Sequence, residues 1–378
     1  MKYFDYAATC PLETDAADVY LKAATGFYGN ANSLHDIGGL ALSLLENSRE
    51  SLAHLLGVDK KGLFFTSGGS ESNFLALEAL LSSKKKAGRH IISSIAEHSS
   101  IQGSLKRLEK AGYNVTYLPF NDDGLIPIDE LIQLTRPDTI LIAIQHINSE
   151  IGTIQPIDSI LKICEEKDIF FHSDYVQSFG KVDMRHINAR LSSFSFSGHK
   201  IYGPKGTGGL YINPRLHWIP FFPGGTHEKG LRPGTVNVPG VAAMTAAAQK
   251  AVSQIEDNMK KYWDFRSIFI TTLQPIRSWL HIHEAEKAWQ YPGIIGLRIE
   301  GVEGQWLMLE LNRLGFAVST GSACQTGMQS PSNTMNALGL SSKEAKEFFR
   351  ISFGYFTTYE EVISLGDCLV NLVLTLKQ

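Results

Sequence analysis

Cysteine is scarce in this chain. The four residues Cys10, Cys164, Cys324 and Cys368 are too few and too scattered for a disulfide framework or a zinc cluster. Long apolar runs are missing too, and nothing approaches the ~20 residues that cross a bilayer. The first ten residues carry neither a secretory apolar region nor an Arg/Ser-rich transit segment, so the expected location is the cytoplasm. A net charge of -3 leaves no basic field for nucleic acid and no acidic tail. The short basic run Lys84-Lys85-Lys86 with Arg89 reads as a solvated helix end. There is no internal repeat and no low-complexity tract.

What remains is 378 residues, 43% apolar and 19% charged, the make-up of an ordinary globular protein of two or three domains or one large one. From Thr14 to Val252, short β-rich runs alternate with helical patterns. Strands are expected at 63–66, 90–93, 114–118, 139–145, 169–173, 191–195 and 209–212, with helices between them at 73–81, 99–110 and 156–167. Such alternation predicts an α/β fold with a mostly parallel sheet covered on both faces. Ligands gather at the carboxyl ends of the strands in such sheets. After a charged helical segment at 246–273 the pattern changes. Strands at 281–283, 293–299 and 317–319, with helices near 304–314, 341–348 and 358–374, predict a smaller α+β domain. The expected division is a large domain at 14–257 and a small one made of 1–13 and 258–378.

Several polar residues follow the apolar strand-like runs. Ser197-Gly198-His199-Lys200 puts one amine among small, polar neighbours, with glycine allowing close backbone approach. A lysine that condenses with the aldehyde of pyridoxal phosphate needs such a setting; a surface-turn lysine is the plainer reading. Phe64 to Asn73 reads as strand, glycine turn and helix start, an anion site at which Gly69 and Ser70 are the candidate contacts, with Ser197 and His199 closing the other side. Asp174 either pairs with a protonated pyridine nitrogen or caps the following helix. Gln177, one turn later, is placed to meet the ring's phenolic oxygen. His98 could stack on a flat cofactor and move protons near neutral pH, or be a satisfied strand-end histidine.

Cys324 sits among Gly, Ser, Thr and Pro, a loop composition that lets a thiol attack in one place and be presented in another. Cys164 and Cys368 have apolar helical neighbours and read as packing residues. Arg350, inside Phe-Phe-Arg-Ile-Ser-Phe, either captures a carboxylate through its two-pronged guanidinium or forms a structural ion pair. The loop 224–235 is glycine-rich and cationic, and also suits a phosphate.

Taken in order, Tyr-Phe-Asp-Tyr-Ala-Ala-Thr, Gly29-Asn30, Phe-Thr-Ser-Gly-Gly-Ser-Glu-Ser-Asn, Glu97-His98, Asn148-Ser-Glu-Ile-Gly-Thr, Ser-Gly-His-Lys, Leu-Arg-Pro-Gly-Thr, Gly-Ser-Ala-Cys and Arg350-Ile-Ser-Phe-Gly cover essentially the whole chain. The sequence resembles the cysteine desulfurases of the class V aminotransferases, in their iron–sulfur-assembly branch. Gly-Ser-Ala-Cys is what points to a desulfurase. The resemblance implies the pyridoxal phosphate transferase fold of type I and a homodimer. It makes Lys200 the Schiff-base lysine, places Asp174 at the pyridine nitrogen and Gln177 at the ring oxygen, and stacks His98 on the ring. Ser70, Ser197 and His199 would hold the phosphate. Arg232 and Thr235 would reach a phosphate across the dimer interface. Asn30 and Arg350 would bind substrate, and Cys324 would carry a persulfide to an acceptor or scaffold protein.

Three positions depart from the family pattern. Ser149 replaces the usual Asn near cofactor and substrate, Tyr6 stands where Asn is common, and Cys10 where Thr is common. The implied reaction turns L-cysteine into L-alanine. A selenocysteine lyase or an aminotransferase of the same fold is the alternative.

Overall fold

The computed structural model describes residues 1–83, 87–321 and 332–377. The expected helix end at Lys84–Lys86 and the expected Cys324 loop lie outside them.

The strands, in chain order, are β1 (Lys2–Tyr3), β2 (Leu63–Thr66), β3 (His90–Ser94), β4 (Asn114–Leu118), β5 (Thr139–Ala143), β6 (Phe170–Asp174), β7 (Ser193–Ser197), β8 (Gly208–Ile212), β9 (Leu280–His283), β10 (Ile294–Ile299), β11 (Phe316–Ala317) and β12 (Phe348–Ser352). Seven of them form one sheet in the order β2-β8-β7-β6-β5-β3-β4. The pairs from β7 to β4 are parallel, while β8 runs antiparallel to both β2 and β7. β3, β5, β6 and β7 are buried along their whole length, as strands covered by helices on both faces must be. The chain leaves β3 for β4 on one side and later enters β5 on the other. That reversal opens a crevice at the carboxyl ends of the strands.

β7 reads Ser-Phe-Ser-Phe-Ser, and its period of two splits the strand cleanly. Phe194 and Phe196 enter the main core with Ile142 and Phe171, while Ser193 and Ser195 turn to the polar layer opposite. The sequence pattern sets this strand at 191–195. It forms two residues later, because Leu191 is buried in the preceding turn.

A second, antiparallel sheet has the order β12-β10-β9. Its apolar face packs on helices Ile255–Thr272 and Tyr359–Lys377 through Phe265, Phe269, Leu297, Phe349, Ile351, Leu365 and Leu369. The helix expected at 341–348 stops at Lys346, since Phe348 already begins β12.

The N-terminal segment stitches the two sheets together. β1 pairs with β11, the Ser352 N–H donates to the Phe4 carbonyl, and the Ala7 N–H donates to Ser352 Oγ. Residues 5–8 are thereby laid across the open end of the crevice.

Candidate active site

The crevice contains a cavity of about 220 Å³ whose walls come from five strand ends and the N-terminal segment. Gly69 and Ser70 follow β2, and His98 follows β3. Ile147 and Ser149 follow β5, Asp174 ends β6, and Ser197, His199 and Lys200 close β7.

One end is a cradle. The turn before helix Gly69–Ser82 uses Gly68 at φ 150°, a conformation L side chains rarely adopt. A Cβ on Gly69 would stand 2.5 Å from Val176 Cγ2, so any larger residue here would force Val176 to move. Gly69 and Ser70 at the start of this helix line the cavity, and so does the buried Ser197 hydroxyl, which has no hydrogen-bond partner among the described residues. His199 Nδ1 is 3.1 Å from Thr9 Oγ1, and burial holds its ring at a pKa of about 4.

Lys200 Nζ donates to the Ala7 carbonyl at 2.5 Å and the Ala8 carbonyl at 2.8 Å. Burial, followed by the charges of Lys181 and Arg350, lowers its pKa to about 7, so much of this amine is neutral near neutral pH. Lys181, half-buried nearby, is depressed to about 8, mainly by desolvation. Its ammonium donates to Gln177 Oε1 at 2.6 Å, and Gln177 Nε2 donates to the Ala7 carbonyl at 2.8 Å. An ammonium only donates and a carbonyl only accepts, so the Gln177 amide cannot flip. Its second Nε2 hydrogen remains available to the cavity.

Asp174 accepts the Val176 N–H at Oδ1 and the Asn73 amide at Oδ2, both at 2.8 Å. The capping alternative is thus met by a tight turn, and the residue still lines the cavity. His98 caps helix Ser99–Lys110 through Nδ1, and burial lowers its pKa. Arg350 realises its structural alternative while facing the same space. Nη2 meets Asp5 at 2.6 Å, Nη1 donates to the Ser149 carbonyl at 2.8 Å, and the buried Nε has no partner among the described residues.

The cavity therefore gathers Gly69, Ser70, His98, Ser149, Asp174, Gln177, Ser197, His199, Lys200 and Arg350. It does not gather Asn30, Arg232 or Thr235. Asn30 and Thr235 are exposed, and Arg232 pairs with Glu71 at 3.0 Å. Cys324 lies outside the described residues. The loop 224–235 is tied down from within: Glu228 is buried in an ion pair with Arg49 and accepts the Phe65 N–H.

Residue-by-residue reading of the sequence passed over Asp5, Asn73, Lys181 and the Ala7 and Ala8 carbonyls. Asn73 did leave a signal, since an amide falls on the same helix face as Ala76, Leu77 and Leu80, all fully buried. Among the described residues no group of three or more His, Cys, Asp or Glu converges as a metal site.

Known proteins resemble this chain in sequence and in fold. A NifS protein of Bacillus subtilis is 46% identical over 367 residues, covering 97% of this chain and 93% of that one. A cysteine desulfurase IscS of Dictyoglomus turgidum is 34% identical over 375 residues, covering 99% and 95%. Among solved structures, a NifS-like protein superposes with a TM-score of 0.91 at 30% identity over 99% of each chain. The structure described as SspA in complex with cysteine reaches 0.78, also at 30% identity, over 95% of this chain and 100% of that one. The family model for aminotransferase class-V matches residues 2–365, and the chain belongs to that family.

Proposed function

We propose that the protein is a cysteine desulfurase that holds pyridoxal 5'-phosphate and converts L-cysteine to L-alanine, keeping the sulfur as a persulfide on Cys324. The observation that carries this reading is the Lys200 amine, held by two backbone carbonyls at a cavity that also holds Asp174, with burial lowering its pKa to about 7.

The residues present fit the cofactor. The Gly69–Ser70 helix start and the unpartnered Ser197 hydroxyl, with His199 beside them, suit a phosphate. Asp174 would pair with the ring nitrogen, the spare Gln177 hydrogen with the ring oxygen, and His98 with the ring face. Ser149 and Arg350 form the facing wall, where the guanidinium would take the substrate carboxylate. Bound pyridoxal phosphate supplies an aldehyde for amines and a ring that accepts the electron pair left when the Cα proton departs.

The protein's own groups do the rest. Lys200 Nζ, neutral for a large fraction of the time, takes the Cα proton once substrate has displaced it. Cys324 Sγ, as thiolate, attacks the substrate sulfur. The Cβ–S bond breaks, an S–S bond forms on Cys324, and the carbon left behind is protonated to alanine. The persulfide then passes to an acceptor or scaffold protein of iron–sulfur assembly in the cytoplasm.

A homodimer suits the residues left outside the cavity. Thr235 is exposed, and Arg232 nearby is held by Glu71 at 3.0 Å; in a dimer these two would serve the phosphate of a second copy. Tyr28, Leu34, Leu40, Leu42, Phe221 and Phe222 are apolar and exposed in the single chain.

The deciding experiment supplies purified protein with pyridoxal phosphate and L-cysteine, measures alanine, and weighs the peptide that holds Cys324. One added sulfur atom with matching alanine supports the proposal. A protein that stays colourless with the cofactor, or that forms alanine without sulfur on Cys324, sinks it.

A further inference from the structure

Asn73 is fully buried and links Asp174 to Ser100, the residue that holds His98. Its side-chain nitrogen donates to Asp174 Oδ2 at 2.8 Å and to Ser100 Oγ at 3.0 Å. Its oxygen accepts the Ser195 hydroxyl and faces His172 Nε2 at 3.1 Å. The Asp174 carboxylate, which also takes the Val176 N–H, accepts, so the Asn73 NH2 turns toward it. The second NH2 hydrogen then occupies Ser100 Oγ as acceptor. The Ser100 hydroxyl hydrogen is left for its other neighbour, His98 Nδ1 at 2.8 Å.

The backbone N–H of Ser100 also donates to His98 Nδ1, at 3.2 Å. A backbone amide cannot accept, so this longer contact calls for the same lone pair on Nδ1 as the shorter one from the hydroxyl. Both donors of Ser100 thus converge on one ring nitrogen. A neutral imidazole has a single hydrogen, which must then sit on Nε2, the nitrogen free of hydrogen bonds among the described residues. Burial supports the neutral form.

We propose that Asn73 and Ser100 are positioning residues that fix His98 as the Nε2–H tautomer, so that it meets the substrate sulfur as a hydrogen-bond donor and takes no proton from it. The site is then built to recognise a thiolate, so a thiol substrate gives up its proton to solvent before the sulfur meets His98, and the Lys200 amine stays free for the Cα proton. The meeting with substrate rests on the desulfurase reading; the tautomer does not.

The test labels the histidine rings of the full chain with nitrogen-15, adds pyridoxal phosphate, and reads two-bond proton–nitrogen spectra. His98 is assigned by the signals lost in His98→Gln. The expected result is a hydrogen on Nε2 and none on Nδ1. Ser100→Ala leaves the Asn73–Asp174 contact in place. It is expected to lower kcat about fivefold, the scale of one hydrogen bond, with KM and the absorption of bound cofactor unchanged. Ser100→Thr, which keeps the hydroxyl, should restore kcat. A hydrogen on Nδ1 in the unsubstituted protein overturns the proposal, as does a Ser100→Ala enzyme with full kcat. If Ser100→Ala does not fold, the tautomer alone decides. A protein that makes no alanine would end the desulfurase reading and still return the tautomer.

Discussion

Arg350 and Asp5 form an ion pair at 2.6 Å in which the arginine side chain is 2% exposed. The carboxylate fixes one prong of the guanidinium, and the Ser149 carbonyl fixes the other. What faces the cavity is therefore an oriented donor set rather than a swinging charge. Lysine, a point charge on a flexible stem, cannot reproduce it.

Arg350→Lys is accordingly expected to raise KM for L-cysteine about ten- to a hundredfold, the scale of one or two charge-assisted hydrogen bonds. Steady-state alanine formation checks this. A KM within twofold of the parent would remove Arg350 from substrate binding.

Lys200 gives a pH signature in the cofactor-free protein. Its folded pKa of about 7, depressed first by burial and then by Lys181 and Arg350, lies below the ordinary lysine value of 10.5. Between these two values the unfolded chain binds more protons, so this group's contribution to stability improves as pH rises through the window. Lys200→Met removes that cost. Its advantage in thermal midpoint over the parent should be largest below pH 7 and fade toward pH 10. A difference that stays flat with pH would mean that the amine is not depressed.

Asp174→Ala leaves the Asn73 amide and the Val176 N–H without their buried acceptor. We expect a loss of roughly 1–3 kcal/mol in denaturant unfolding without cofactor. With cofactor added, alanine formation should be lost while Lys200 can still be trapped on the cofactor by borohydride. Full turnover in this variant would rule out Asp174 as the group at the ring nitrogen.

Glu228→Gln tests the loop that carries Arg232 and Thr235. Glu228 accepts both Arg49 Nη groups and the Phe65 N–H, and the ion pair is almost fully buried. Removing one partner of such a pair costs about 3–5 kcal/mol because the other charge stays buried. Calorimetry should show a markedly lower unfolding temperature; no shift would mean that water reaches Arg49 in the folded protein.

The parts of the site that could be read from sequence are those announced by their immediate neighbours. Lys200, Asp174, His98 and the Gly69–Ser70 turn each follow a strand, and strand ends can be recognised from short apolar runs. Strand edges drifted by a residue or two where a buried turn residue such as Leu191 resembled strand. The supporting residues were hidden for a physical reason. Asn73 meets Asp174 across 101 residues, Lys200 meets Ala7 across 193, and Arg350 meets Asp5 across 345. Sheet order creates these meetings, and no local pattern encodes sheet order. Lys181 was hidden differently: nothing in its neighbours separates a half-buried ammonium at the site from a surface one.

The strap formed by residues 5–8 has a consequence for biosynthesis. Asp5, Ala7 and Ala8 leave the ribosome well ahead of the sheets, yet their partners include Arg350 and Ser352, added hundreds of residues later. A growing chain can raise the seven-stranded sheet while its lysine still lacks the lid that aims it. The proposed capture of an aldehyde would thus be deferred until the early and late segments of translation have met.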